Sequence, residues 1–182
     1  MTFYNAVIDE LCAQGIEPFI NLYHFDMPMA LQEKGGFENR DVVEAFARYA
    51  RICYQLFGDR VRYWFTFNEP IVVQTRVYLD ALRWPYEQNT ATWMQWNHHK
   101  VLATAKVVQL FRAKGYQGTV GCILNPEVTY PRSRAAHDLR AAEMYDLFYN
   151  RVFLDPFVHG TYPQELFTLL EKHGVAWDYS TE

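Results

Sequence analysis

Apolar residues recur every three to four positions from residue 2 to 14, with Phe3, Val7, Ile8 and Leu11 on one face and Gly15 as a stop. This predicts an amphipathic helix. The run IEPFINLYHF that follows is rich in β-formers and predicts a first strand, and GGFENRD supplies loop and cap signals. From about Asp41 to Phe57 the apolar positions Val42, Val43, Phe46, Tyr49, Ala50 and Cys53 return to helical spacing. Gly58-Asp59 ends that helix, and VRYWFTF reads as a second strand. A long connection from Pro70 to about Thr90 precedes a third helix through Phe111, which KGYQG breaks. TVGCIL is a third strand, NPEVTYPRS a loop, and Ala135 to about Phe153 a fourth helix, followed by a Pro/Gly loop and a short helix.

Strands alternating with helices of this length, without tight hairpin turns, imply right-handed βαβ units and a parallel sheet buried on both faces. The expectation is one layered α/β unit over residues 1–182, with no second domain. The 182 residues are 50% hydrophobic and 17% aromatic, enough apolar mass for a sizeable core. A net charge of −4 supplies no basic field for nucleic acid, and no Lys/Arg run suggests an anionic membrane surface. No run reaches a membrane span, and the start is an amphipathic helix pattern rather than a signal peptide. Cys12, Cys53 and Cys122 are widely spaced and odd in number, which fits a reducing, cytoplasmic setting and neither a disulfide framework nor a zinc site.

In parallel α/β folds, ligands gather at the carboxyl ends of the strands. Those ends read Tyr23-His24-Phe25-Asp26, Asn68-Glu69 and Asn125-Pro126-Glu127. From spacing alone, a capping or ion-paired Glu69 stands equal to a functional one. A satisfied structural histidine outweighs a ligand contact for His24, and Asx turns or caps lead for Asn125 and Asp26. His98 and His99 are adjacent in a helix pattern and face different directions, so they read as structural or solvated rather than metal-binding.

The string FTFNEP resembles the acid/base motif of the family 1 glycoside hydrolases. N-E-P alone carries little weight, but its context carries much. GIEPFINLYHFDMPMAL resembles the family's histidine strand, GGFENRDVVEAFARYA its following loop and helix, and GCILNPEVTYP and FLDPFVHGTYP follow in family order. The resemblance implies a (β/α)8 (TIM) barrel and retaining β-glycosidase activity on a β-glycoside, with no cofactor and no metal. It implies that Glu69 is the general acid/base and that Asn68 hydrogen-bonds the sugar 2-hydroxyl. It further implies that His24 contacts the 3-hydroxyl and that Asn125 supports the site. Phe25 in HFDMP is similar to members acting on 6-phosphorylated β-glycosides, where simple β-glucosidases often carry tryptophan, so a 6-phospho-β-glucosidase is the favoured substrate class. Tyr78 and Trp84 could line an aglycone wall, and core packing explains them about as well.

The family's TENG-like nucleophile motif, its early glutamine strand and its late tryptophan loop have no counterpart here. The chain resembles the middle of the barrel, about strands three to five with their helices, and Met1 then reads as an internal methionine. Asp26, Glu17 and Glu127 are the available second carboxylates, and none is favoured. Three expectations follow. The isolated chain does not hydrolyse glycosides, its unpaired sheet edges favour self-association, and the rival reading is a non-catalytic sugar-binding or assembly module.

Overall fold

The computed structural model describes residues 2–180, which divide by contact into two compact units. The first comprises the chain to Pro70 together with Leu102–Leu124, and the second Ile71–Val101 together with the chain from Asn125.

The first unit holds α1 (Thr2–Ala13), β1 (Phe19–Asn21), the short α2 (Met29–Gln32), α3 (Asp41–Phe57), β2 (Tyr63–Asn68) and β3 (Thr119–Ile123). The strands form one parallel sheet in the order β1-β2-β3, with Phe19 opposite Tyr63 and Tyr63 opposite Thr119. This is the expected order of strand and helix. Asn39, in the stretch read as loop and cap, accepts the Asp41 N–H at 2.9 Å on Oδ1 in a turn just before α3. The helix then buries Val42, Val43, Phe46, Ala50, Cys53, Tyr54 and Phe57. Trp64 of β2 lies edge-on to Tyr54 at 4.8 Å and donates its indole N–H to the Val61 carbonyl at 3.1 Å, so a large polar-tipped ring is buried without an orphaned donor.

Two details depart from the sequence reading. β1 is only three residues long, because the chain turns at His24–Asp26: the His24 N–H bonds Asp26 Oδ1 at 3.0 Å, and Phe25 has φ of +71°. The sheet is also not buried on both faces. Phe19 is 60% and Tyr63 38% exposed, stacked on each other at 4.4 Å, whereas Trp64 and Thr66 are buried beneath helices.

The second unit contains α4 (Val72–Gln74), which runs into a π-helical turn at Thr75–Leu79, so the expected connection after Pro70 is partly helical. α5 (Thr90–Ala113) divides between the units, and Asn89 caps its start by accepting the Thr92 N–H at 3.0 Å. The fourth predicted helix is longer than expected. It comprises α6 (Ala136–Asp146), a π-helical segment (Leu147–Arg151) and α7 (Val152–His159), with Pro156 inside the last. α8 (Gln164–Lys172) follows, and the segment after it docks by paired bonds between Gln95 and the Asp178 backbone, 3.0 and 2.8 Å. His98 and His99 are buried, meeting Tyr162 Oη at 3.1 Å and Gln95 at 2.9 Å respectively, which suits the structural reading. Among the described residues, no helix is long and apolar enough to cross a membrane.

Candidate active site

β2 is irregular near its end. Phe65 pairs with Gly121 and Asn68 with Ile123, so three steps along β2 match two along β3. The extra residue is a β-bulge. Its effect shows in the ring contacts: Phe65 faces Phe19, as the pleat requires, but Phe67 lies against Phe46 of α3 at 4.7 Å, on the side where Trp64 meets Tyr54. The bulge thus breaks the alternation, and Phe67 anchors the strand end from below with no exposure. The Phe67 carbonyl accepts a bond from Cys122 Sγ at 3.4 Å.

Beyond the bulge, the Asn68 N–H donates to the Tyr23 carbonyl at 3.0 Å and the Glu69 N–H to the Ile123 carbonyl at 2.8 Å. Asn68 and Glu69 are therefore held from both neighbouring strands at once. Glu69 has φ of +42°, a left-handed conformation that costs a non-glycine residue about 1–2 kcal/mol. The buried Pro70 that follows has no N–H to extend the ladder. Strain of this kind persists where surrounding structure imposes it, and such residues cluster at functional sites.

His24 follows Tyr23, so it lies on the same carboxyl rim as Asn68 and Glu69; its side chain is exposed and lies edge-on to Phe25 at 5.0 Å. His24 and Asp26 also line an open groove of about 470 Å³ between α1, β1 and α3. Asn68 and Glu69 are half-buried. His24, Asn68 and Glu69 thus all stand at strand ends of the first unit.

Asn125 belongs to the second unit, where its Nδ2 donates to the Tyr149 hydroxyl at 3.2 Å. Of the alternative carboxylates, Asp26 holds the turn after β1. Glu127 accepts the Tyr145 hydroxyl at 2.6 Å. Glu17 is exposed before β1, at the opposite end of the strand. Tyr78 is half-buried with its ring 6.0 Å from Trp96, while Trp84 is 72% exposed. Among the described residues, no cluster of three metal-binding side chains occurs. The sequence reading missed Tyr145, Tyr149 and Asn150. The i, i+4 tyrosine pair was visible, but Asn150 joins it only through the π-helical segment.

Comparison with known proteins extends over the whole chain. Residues 1–182 match the model of the glycosyl hydrolase family 1. The chain is 48% identical over 180 residues to the 6-phospho-beta-glucosidase GmuD of Bacillus subtilis (strain 168), covering 99% of this chain and 39% of that protein. It is 36% identical to beta-glucosidase A of Acetivibrio thermocellus, covering 96% of this chain and 39% of that protein. Among solved structures, the AHE enzyme from Alicyclobacillus herbarius superposes with a TM-score of 0.92 at 33% identity, over 98% of this chain and 41% of that one. A beta-glucosidase from Thermotoga maritima in complex with castanospermine superposes with a TM-score of 0.86 at 36% identity, over 94% of this chain and 39% of that one. The chain thus spans about two fifths of the length of these relatives. Its three parallel strands with flanking helices are a partial (β/α)8 barrel.

Proposed function

The chain belongs to glycosyl hydrolase family 1, and from that premise we propose that it is the central part of a single-domain retaining β-glycosidase in which Glu69 is the acid/base. The observation that carries this reading is the strained Glu69 at the carboxyl rim of β2, next in sequence to Asn68, the pair being tied by backbone bonds to Tyr23 and Ile123. Retaining hydrolysis uses two carboxyl groups about 5–5.5 Å apart, one acting as acid then base, the other as nucleophile. Glu69 protonates the leaving oxygen and then draws the proton from the incoming water. Asn68 bonds the 2-hydroxyl, an interaction that strengthens as the sugar approaches an oxocarbenium ion, and His24 bonds the 3-hydroxyl. The rigid backbone under Asn68 and Glu69 spares reorganisation during the reaction. The nucleophile comes from a segment outside this chain.

For the substrate, a 6-phospho-β-glucoside is favoured over a plain β-glucoside. Phe25 in HFDMP supports it, as does the 48% identity to a protein named a 6-phospho-beta-glucosidase. The three free thiols support a cytoplasmic location.

Nitrophenyl β-glucoside and its 6-phosphate test the reading. The complete protein should turn over the phosphorylated substrate faster, and Glu69→Gln should abolish turnover. The isolated 182-residue chain should be inactive. Full activity in Glu69→Gln would defeat the assignment. The exposed Phe19 and the outer edges of β1 and β3 should also drive the isolated chain to self-associate, which a single monomeric boundary in analytical ultracentrifugation would contradict.

A further inference from the structure

Within the first unit, the peptide group between Phe67 and Asn68 is gripped on both sides. Its N–H donates to the Tyr23 carbonyl, just past β1, at 3.0 Å, and its C=O accepts from Cys122 Sγ on β3 at 3.4 Å. A trans peptide points these two groups in opposite directions, so the two bonds together fix one plane. The next peptide group, between Asn68 and Glu69, is tied through its N–H to the Ile123 carbonyl at 2.8 Å. Only the φ and ψ of Asn68 lie between these planes. Holding both planes therefore fixes the direction in which Asn68 projects and the point from which Glu69 starts.

The thiol acts at the bulge. One extra residue on β2 disrupts the ladder between Phe65 and Asn68, and side chains join the strands there. Thr66 Oγ1 donates to the Gly121 carbonyl at 3.2 Å, while Cys122 Sγ returns a bond to the Phe67 carbonyl. Thr66 also meets Thr104 of α5 at 2.9 Å, so its bonds secure the body of the strand. Of the two cross-strand bonds, it is the one from Cys122 that reaches the peptide next to Asn68.

The sense of that bond follows from chemistry. A carbonyl oxygen only accepts, so the sulfur must carry its proton and donate it. Cys122 is half-buried and holds a reduced thiol, which meets that requirement.

We propose that Cys122 is a positioning residue for the acid/base: its S–H holds the Phe67 carbonyl and thereby aims Asn68 and Glu69. This rests on the reading of Glu69 as the acid/base of the proposed glycosidase. The thiol touches no substrate and acts through the backbone alone. When the Phe67–Asn68 plane turns, the Glu69 carboxyl is displaced, and proton donation suffers most where the leaving oxygen depends on it.

The test uses the complete protein with phenyl and dinitrophenyl β-glucosides, each with and without a 6-phosphate. Dinitrophenolate departs without a proton, whereas phenolate needs one from Glu69, so the ratio of their kcat/KM values reports how well the acid is placed. Cys122→Ala should lower kcat/KM about threefold on the phenyl substrate, the value of one weak S–H bond, and leave the dinitrophenyl substrate unchanged. Cys122→Val fills the space without a donor; it should behave alike, and it decides the matter if the alanine variant does not fold. Cys122→Ser keeps a donor on a side chain close to alanine in size and should recover most of the loss. Equal losses on the two substrates, a wild-type ratio without the donor, or a serine variant no better than alanine would each overturn the proposal. Glu69→Gln should abolish turnover of the phenyl substrate. An inactive Glu69→Gln beside wild-type ratios in Cys122→Ala and Cys122→Val removes this inference and leaves the glycosidase reading. A fully active Glu69→Gln removes the glycosidase reading itself.

Discussion

The backbone N–H of Glu69 donates to the carbonyl of Ile123 at 2.8 Å, so the residue after β2 is still tied to β3 although its φ has turned to +42°. The sheet therefore holds a conformation that the isolated dipeptide Glu69-Pro70 would avoid.

Stability and activity should separate at this residue. Glu69→Gly relieves a left-handed strain of about 1–2 kcal/mol, partly offset by glycine's greater freedom when unfolded, about 0.5–1 kcal/mol. The midpoint of chemical denaturation should stay level or rise while the proposed hydrolysis disappears. A clear loss of stability would mean that the carboxylate, rather than the backbone, is what the fold needs there.

Gly118 enters β3 with φ of +116°, and a Cβ there would lie 1.9 Å from the Arg62 carbonyl oxygen. That same carbonyl accepts the Thr119 N–H at 2.7 Å, so it cannot move without breaking the start of the sheet. Gly118→Ala should prevent stable folding. Gly115→Ala, at φ of +68° with nothing within 4 Å, should cost about 1–2 kcal/mol, as left-handed strain alone does. Equal midpoints for the two variants in urea would contradict the steric argument.

Thr66 and Thr104 form a buried hydroxyl pair at 2.9 Å, and Thr66 Oγ1 also donates to the Gly121 carbonyl at 3.2 Å. Having donated there, Thr66 must accept from Thr104. Thr66→Val strands the Thr104 donor and should cost about 1–3 kcal/mol. Adding Thr104→Val removes the stranded group, so the double variant should lose less than the sum of the singles in a urea double-mutant cycle.

Alkaline pH should weaken the fold through its tyrosines. Burial first, and Asp26 second, push the Tyr23 phenol from 10.0 up to about 12. Burial, then the bond to Glu127, does the same for Tyr145. Because the folded values are raised, the unfolded chain loses these protons first as pH climbs past 10. The stabilisation is complete below that pH and is lost as pH rises towards 12. Thermal midpoints should hold steady from pH 8 to 9 and fall beyond 10, and a Tyr23→Phe chain should fall less steeply.

Much of this protein was legible in one dimension. The 3.6-residue period of α3 and the β-rich runs of β1, β2 and β3 determined the element order, because burial of one helix face and of the strands is written into local composition. FTFNEP placed Asn68 and Glu69 at a strand end, and the order of the flanking segments supplied the family. Local pattern also misled: Pro156 suggested a break where the helix runs on to His159, and the stretch after Pro70, read as a connection, contains the helical turn at Thr75–Leu79.

Tertiary structure decided what depends on partners distant in sequence. The bulge before Asn68 exists only in the pairing of β2 with β3, since a register is a property of two strands. The left-handed turn at Glu69 is imposed by carbonyls at Tyr23 and Ile123. Asn125 meets Tyr149 from 24 residues away, and the π-helical segment carries Asn150, which bonds the Glu127 backbone. Sequence determined which residues stand at the strand ends, because periodicity is local; only the fold determined how they point, because hydrogen bonds between distant segments fix that.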